Sequence, residues 1–566
     1  MTGVGSFQFV LHSHIPYARK AGKWPHGEEW LHEAASETYI PLLKKLYELR
    51  AEGVPFRIAI GITPILAEQL ADTDVQEHFV TFLDQRIAAS EYDIQLHHEG
   101  DGADPHLHYL ASWYRDWYTG IREAFLGQFE RNLLAAFKQL ADEGYVELLT
   151  SAATHAYLPL LAQDASIRLQ LQTALNGHQR HFGKKPRGIW LPECAYRPAY
   201  YEGDRLRPGM EHFISEASFD FTFSETHAIT GGRPVGIAAG DVLGPYGEVV
   251  RRYAVPIEEY RPVRPVTTFE PYRIINSESS DQSHENALTQ ICVFGRNDRT
   301  GIQVWGADWG YPGDFDYREF HKRAGSSGLQ YWRVTNSDAD LSHKEHYQPE
   351  WAAMKCQLHA DHFIDLVVAT LQEYHATHDS AHGIISSNYD TELFGHWWFE
   401  GVDWLGKVLR GLAEHDEVDL TTPSQYLCQH PVSQGIRLPE SSWGAGGRDF
   451  TWNNGDNRWM WRPIHELEER LIGAAAKIDP EQPDEDFVMK QAARELLLTQ
   501  SSDWPFLVST GQARSYAIQR FSQHAERCNR LLNGLEKGKP DRALAEEYWE
   551  LDKVFPDIDY RLFRDG

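Results

Sequence analysis

Cysteine is scarce. Five residues among 566 (Cys194, Cys292, Cys356, Cys428 and Cys528), with no CxxC pair, argue against a disulfide framework or a thiolate zinc site and point to a reducing compartment. Basic residues are also few: 54 Lys and Arg face 82 Asp and Glu, for a formal net charge of −28. Such a chain lacks the clustered cations that displace counterions from nucleic acid or an anionic membrane, so neither is expected as a partner and a neutral substrate fits better. No run of about 18 apolar residues could span a bilayer, and the opening MTGVGSFQFVLHSHIPY has neither the basic start nor the apolar core of a signal peptide; a cytoplasmic location is expected. Low-complexity tracts and short repeats are missing too. With 42% hydrophobic and 12% aromatic residues, the composition is that of a folded globular protein.

The length exceeds what one core usually supports, so a large catalytic domain plus a smaller unit is expected. Short apolar runs stop at polar clusters at 6–14, 56–64, 145–155, 187–193, 220–227, 302–308 and 383–390. They read as buried strands with helical patterns between them, which is the alternation of a parallel sheet. A TIM-type barrel follows as the expected fold, with function where strands end. Residues 72–144 hold about three helical patterns, too long for an ordinary connection, and are read as a helical insertion. From about 430 the pattern changes, with helical spacing from PIHELEERLIGAAAKI (463–478) onward, giving a catalytic domain over 1–429 and an all-helical C-terminal domain over 430–566.

Glu193 closes the run RGIWLPE inside a cage of Trp190, Pro192, Cys194, Tyr196 and Tyr200, and Asp390 closes GIISSNYD in the same way. Two carboxylates delivered by different strands into aromatic surroundings suit glycosidic bond cleavage, in which one attacks or stabilises the sugar carbon and the other protonates the departing oxygen. Low polarity raises the pKa of the acid that must start protonated. His12 and His14, two apart in LHSHIPY, point to one face of a strand. They read equally as hydrogen-bonded structural histidines and as sugar donors or metal ligands, with His155, His227 and Asp308 available to complete a metal set. In 441–462, Trp443, Trp452, Trp459 and Trp461 sit among Gly, Asn and Asp and read as an aromatic platform for sugar rings. Glycine-rich 230–250 lacks the strand–GxGxxG–helix context of a phosphate site and reads as a mobile lid.

In order along the chain, FVLHSHIPY, TSAATHAYLPLL, WLPECAY and YDTELFGHWWFEG, followed by SSDWPFLVSTGQA, resemble the motifs of glycoside hydrolase family 57, and more narrowly its 1,4-alpha-glucan branching group. The resemblance spans nearly the whole chain. It implies an incomplete (β/α)7 barrel and a retaining two-step transfer, with Glu193 as nucleophile and Asp390 as acid then base, roughly 5 to 6 Å apart. The product is an alpha-1,6 branch in a glycogen-like glucan. No metal or organic cofactor is implied. Glucan contacts carried over by the resemblance are His12, His14, His155, Arg296, Trp305, Gly313, His396, Trp443, Trp452, Asp503 and Gln512. The alpha-1,4-glucan is the expected partner, and a monomer or small homo-oligomer the expected state. Segment 270–290 and the C-terminal tail take no role from it. The competing functions are an alpha-amylase or 4-alpha-glucanotransferase on the same scaffold, a metal-dependent polysaccharide deacetylase or hydrolase using His12, His14 and strand-end acids, and a noncatalytic glucan-binding protein.

Overall fold

A computed structural model describes residues 3–23, 26–100, 102–232, 242–244, 247–249, 264–278, 287–306, 310–325, 327–336 and 339–564. The catalytic region is built on parallel strands β1 (Gly5–Ser13), β2 (Ile58–Ile62), β3 (Val146–Leu149), β4 (Phe221–Ser224), β5 (Leu288–Gly295), β6 (Gly383–Asp390) and β7 (Val418–Leu420). β1 is central. Every residue of GSFQFVLHS is buried, as a strand covered on both faces requires, and it pairs in parallel with β6 from Gly5↔Gly383 to His12↔Asp390, with β2 on its other edge and β7 beside its start.

The sheet continues β2–β3 and then through the 188–190 segment to β4 and β5. At 188–190 the expected strand is reduced to two isolated parallel bridges, Thr150↔Ile189 and Gly188↔Phe221. A Cβ on Gly188 would stand 2.1 Å from the Phe221 ring, so only glycine lets the backbone pass this close. Counting that segment, β6, β1, β2, β3, β4 and β5 make seven positions around the barrel. Between β5 and β6 no ladder forms among the described residues; Asn297 N donating to Ser386 O at 2.9 Å bridges the gap.

One expected strand is wrong. Residues 302–305 of the 302–308 run lie in a helix, Asp298–Trp305, because the Asn297 side chain accepts from Thr300 N and caps its start. The strand of this part of the chain is β5, whose sequence LTQICVFG starts at Leu288, within the last residues of 270–290. Asp308 lies outside the described residues, as do most of the glycine-rich 230–250 run and positions 279–286. All five cysteines are unpaired.

Between β2 and β3 stand helices Thr73–Leu96, Pro105–Glu123 and Leu133–Asp142. After residue 460 the chain is helical: Trp461–Ala475, Pro483–Thr499, Asp503–Thr510, Arg514–Glu536 and Arg542–Leu551. Their apolar core, with Leu471, Met489, Leu496 and Leu531, is continuous with Tyr17, Ile65 and Ala153 of the barrel. Burial of shared apolar surface, at about 25 cal/mol per Å², therefore locks the helical part against the open ends of the strands. No helix of the described residues is long and apolar enough to cross a membrane.

Candidate active site

Asp390 and His12 close the ladder between β6 and β1, so adjacent strands deliver both to the C-terminal mouth of the barrel. Glu193 arrives differently. It sits in a kink at φ 62°, ψ 19°, followed by Cys194 at φ 50°; His155 has φ 56°. Left-handed backbone at a residue with a Cβ costs about 1–2 kcal/mol. The surroundings that enforce it are visible: Trp443 N donates to Glu193 O at 3.0 Å, and Ser502 N to His155 O at 3.0 Å.

The Glu193 carboxylate is buried and held at both oxygens. Trp443 Nε1 donates to Oε2 at 2.6 Å and Ser502 Oγ to Oε1 at 3.0 Å. These bonds fix a proton order through the histidines. Because Ser502 gives its proton to Glu193, its oxygen accepts from His155 Nδ1 at 2.9 Å; His155 Nε2 is then unprotonated and accepts from His12 Nε2 at 3.0 Å. Both imidazoles are neutral in this arrangement. Burial first, and neighbouring histidines second, hold both pKa values well below the ordinary range. The chain of donors ends on Glu193 and favours its ionised form.

His14 belongs to a second set. Its Nε2 meets Asp503 Oδ1 at 2.9 Å and its Nδ1 meets Thr63 Oγ1 at 3.1 Å, while its backbone N donates to Glu392 Oε1 at 3.0 Å. Burial alone would lower its pKa, but Asp503, Glu392 and Glu193 outweigh that and raise it. Asp503 is anchored by Ser501 Oγ at 2.6 Å.

Asp390 contrasts with Glu193. Among the described residues no hydrogen bond reaches its carboxyl; only the charges of His14 and Arg296 oppose its burial, and its pKa is pushed up to about 7. Glu193 is also pushed up to about 7, by burial first; Trp443 and Ser502 offset this and the charge of Asp390 adds to it. The charge of Asp390 thus reaches the Glu193 carboxyl.

Other expected residues fall in different places. Arg296 is half-buried, ion-paired with Glu225 at 2.7 Å, and acts on Asp390 by charge. Trp305 is half-buried at the end of its helix, 6.2 Å from the Trp397 ring. Gly313 is exposed in the turn Tyr311–Gly313, and Gln512 is half-buried just after the helix Asp503–Thr510. Two expectations need correction. The four tryptophans of 441–462 form no single open platform: Trp452 is 1% exposed, packed on Tyr157 and under Gly444, and Trp461 is buried with its indole N–H on Trp452 O. Trp459 is 43% exposed against Phe521. Of the four, Trp443 alone bonds the Glu193 carboxyl. His396 does not face the cleft either; it is buried with Nδ1 on Glu37 Oε2 at 3.0 Å, because its loop folds back onto helix residues 35–39.

His14, His155 and Asp503 present donor atoms within 4.8 Å of one another. In this arrangement each histidine nitrogen of the trio already has a protein partner, so no cation is needed to satisfy them. Residues missed from the sequence are Ser502, Thr63, Glu392 and Tyr39. Ser502 and Glu392 lie within the motifs quoted, one residue before Asp503 and two after Asp390. Nothing in the local pattern singled out Tyr39.

The sequence profile of glycosyl hydrolase family 57 matches residues 8–439, and that of the 1,4-alpha-glucan branching enzyme C-terminal domain matches 463–563. The chain is 42% identical over 564 residues to the 1,4-alpha-glucan branching enzyme TK1436 of Thermococcus kodakarensis, covering 97% of this chain and 77% of that protein. The crystal structure of TK1436 superposes with a TM-score of 0.86 over 99% of this chain and 96% of that one, at 39% identity. A GH57-type branching enzyme from Pyrococcus horikoshii gives 0.84 over 99% and 97%, also at 39% identity. The alpha-amylase AmyC of Thermotoga maritima gives 0.80 at 28% identity, over 100% and 99%.

Proposed function

Since the chain belongs to glycosyl hydrolase family 57, we propose that it is a 1,4-alpha-glucan branching enzyme, working by retaining double displacement. Glu193 attacks the anomeric carbon of an alpha-1,4-linked donor while Asp390 protonates the departing glycosidic oxygen. The donor segment is then held as a glycosyl ester on Glu193. Asp390, now ionised, takes the proton of an acceptor 6-hydroxyl, which displaces Glu193 and forms the alpha-1,6 branch. Neither metal nor organic cofactor takes part.

The observation that carries this reading is the pair of carboxyls in opposite hydrogen-bonding states: Glu193 with two donors, Asp390 with none among the described residues. A nucleophile must stay ionised and aimed, whereas an acid–base residue must give up its proton to the sugar and take one back. Trp443 and Ser502, from beyond the barrel strands, cover Glu193 and keep it poorly hydrated. That favours a pre-positioned sugar hydroxyl over water as acceptor.

The likeness to AmyC favours hydrolysis as a second reading, since the same carboxyls serve a water acceptor. Incubating amylose with the protein and counting new alpha-1,6 linkages against released reducing ends separates the two. Branches with few reducing ends are expected; reducing ends without branches would favour the amylase reading. Activity is expected to survive a metal chelator, and its loss with recovery on adding zinc would reassign His14, His155 and Asp503 as ligands. The charge balance and the absence of a membrane-spanning helix among the described residues agree with a cytoplasmic enzyme, acting as a monomer or small homo-oligomer on a glycogen-like glucan.

A further inference from the structure

Among the described residues no hydrogen bond holds the Asp390 carboxyl, so its position depends on the backbone around it. From below, β6 supplies that support through its ladder with β1. Past the end of the ladder, side chains take over: Ser13 Oγ meets Thr391 Oγ1 at 2.7 Å, and Glu392 Oε1 accepts from His14 N at 3.0 Å. Glu392 thus replaces the backbone carbonyl that a longer strand would have offered.

Above it stands an unusual helix. Glu28–Ala34 and Ile40–Ala51 are α-helical, but Ala35–Tyr39 between them forms a π-helical turn. Such a turn is rare, carries an i→i+5 bond, and is found mostly at functional sites. Here three successive residues of the turn grip the segment after Asp390. Tyr39 OH donates to Glu392 Oε1. Thr38 Oγ1 accepts from His396 N at 3.1 Å. Glu37 Oε2 meets His396 Nδ1 at 3.0 Å, and its Oε1 accepts from Arg318 Nη1 at 2.9 Å. Gly395, at φ 108°, lies so close that a Cβ there would stand 1.9 Å from Glu37 O. In a regular α-helix consecutive side chains diverge by about 100°; the wider turn narrows that angle and lets all three address one strand of chain.

We propose that this π-turn is a clamp for the general acid, with Tyr39 and Glu392 as positioning residues that aim Asp390 without touching substrate. The inference rests on the assignment of Asp390 as acid–base residue in the proposed function. Tyr39→Phe removes one hydroxyl and keeps the ring. Its signature is selectivity for the leaving group: a sugar oxygen needs a proton to depart, and fluoride does not. Misplacement of a catalytic group by about 1 Å can cost about 100-fold, so first-turnover cleavage of amylose is expected to fall by about 10- to 100-fold, while fluoride release from an alpha-maltosyl fluoride stays within about threefold. Glu392→Leu, which removes the acceptor oxygen, should show the same selectivity. The double variant should be little worse than the poorer single, because both act through one contact.

Equal losses on both substrates, no loss on either, or multiplicative effects in the double variant would overturn the clamp. If Tyr39→Phe proves unstable, Thr38→Val tests the same grip by removing only the acceptor for His396 N, and must reproduce the leaving-group selectivity. A wild-type enzyme that hydrolyses without branching would revise the proposed function yet leave this comparison readable, because donor cleavage comes before either fate.

Discussion

Glu193 and Asp390 carry the same functional group to one cleft by opposite means. Asp390 ends a regular strand paired along its length with β1, and among the described residues its carboxyl has no hydrogen-bond partner. Glu193 ends two isolated bridges, in a left-handed kink, with its carboxylate held by residues 250 and 309 positions away. The difference teaches how one fold separates two chemically similar groups. Donors aimed at a carboxylate stabilise its charge, and a bare buried carboxyl keeps its proton. Burial pushes both to about 7, Glu193 with its two donors already opposing the rise.

The largest effects should come from removing either member. Glu193→Gln and Asp390→Asn are each expected to lower turnover on amylose by about 10³-fold or more, with binding of the glucan retained. The comparison sharpens on an activated fluoride donor: the Asp390 variant should regain cleavage in the first turnover and the Glu193 variant should not. Equal behaviour of the two would erase the distinction drawn here.

Ser502→Ala comes next. Removing a donor to the charged form of Glu193 raises its pKa further, so the acidic limb of the activity profile should move to higher pH. The alkaline limb, set by loss of the Asp390 proton, should stay. The wild-type profile is expected to be a narrow bell around neutrality. Turnover at neutral pH should fall by about fivefold, as a rise of about one pKa unit from about 7 lowers the ionised fraction. An acidic limb that stays in place would mean that Ser502 does not support the charge.

A smaller effect concerns stability. Both carboxyls have folded-state pKa values near 7, above the roughly 4 of an unfolded chain. The folded state therefore keeps protons that the unfolded state releases. This stabilising contribution is complete below about pH 4 and is lost as pH rises through about 7. Glu193→Gln should flatten part of that decline and raise the unfolding free energy at pH 8 by an amount on the order of 1–3 kcal/mol, seen as a higher melting temperature, with little change at pH 4. A variant less stable than wild type at pH 8 would show that the ionised carboxylate is more fully compensated than its burial implies.

How much of this was legible in the sequence follows the same divide. Regular elements were readable: β1 and β6 announce themselves as apolar runs ending in polar residues, and the helical periodicity after 460 is plain. Where the chain departs from regular geometry, reading by period failed. The 188–190 segment keeps only two bridges because glycine passes against Phe221, and Ile302 and Val304 proved helical because Asn297 caps a helix ahead of them. Site residues within the quoted motifs were found or narrowly missed, as with Ser502 beside Asp503. Tyr39 was invisible, since a π-turn has no marked periodicity and its partner Glu392 is more than 350 positions away. Trp452 shows the reverse error: a polar, glycine-rich neighbourhood suggested exposure, but Gly444 makes room for the indole to bury.

The most direct measurement traps the covalent intermediate. A 5-fluoro-alpha-glycosyl fluoride donor, or slow turnover in Asp390→Asn, should load one glycosyl unit or segment onto the intact protein, and peptide mapping should place that mass on the fragment containing Glu193. An adduct on another residue, or none while alpha-glucan is still cleaved, would contradict the assignment of Glu193 as the attacking group.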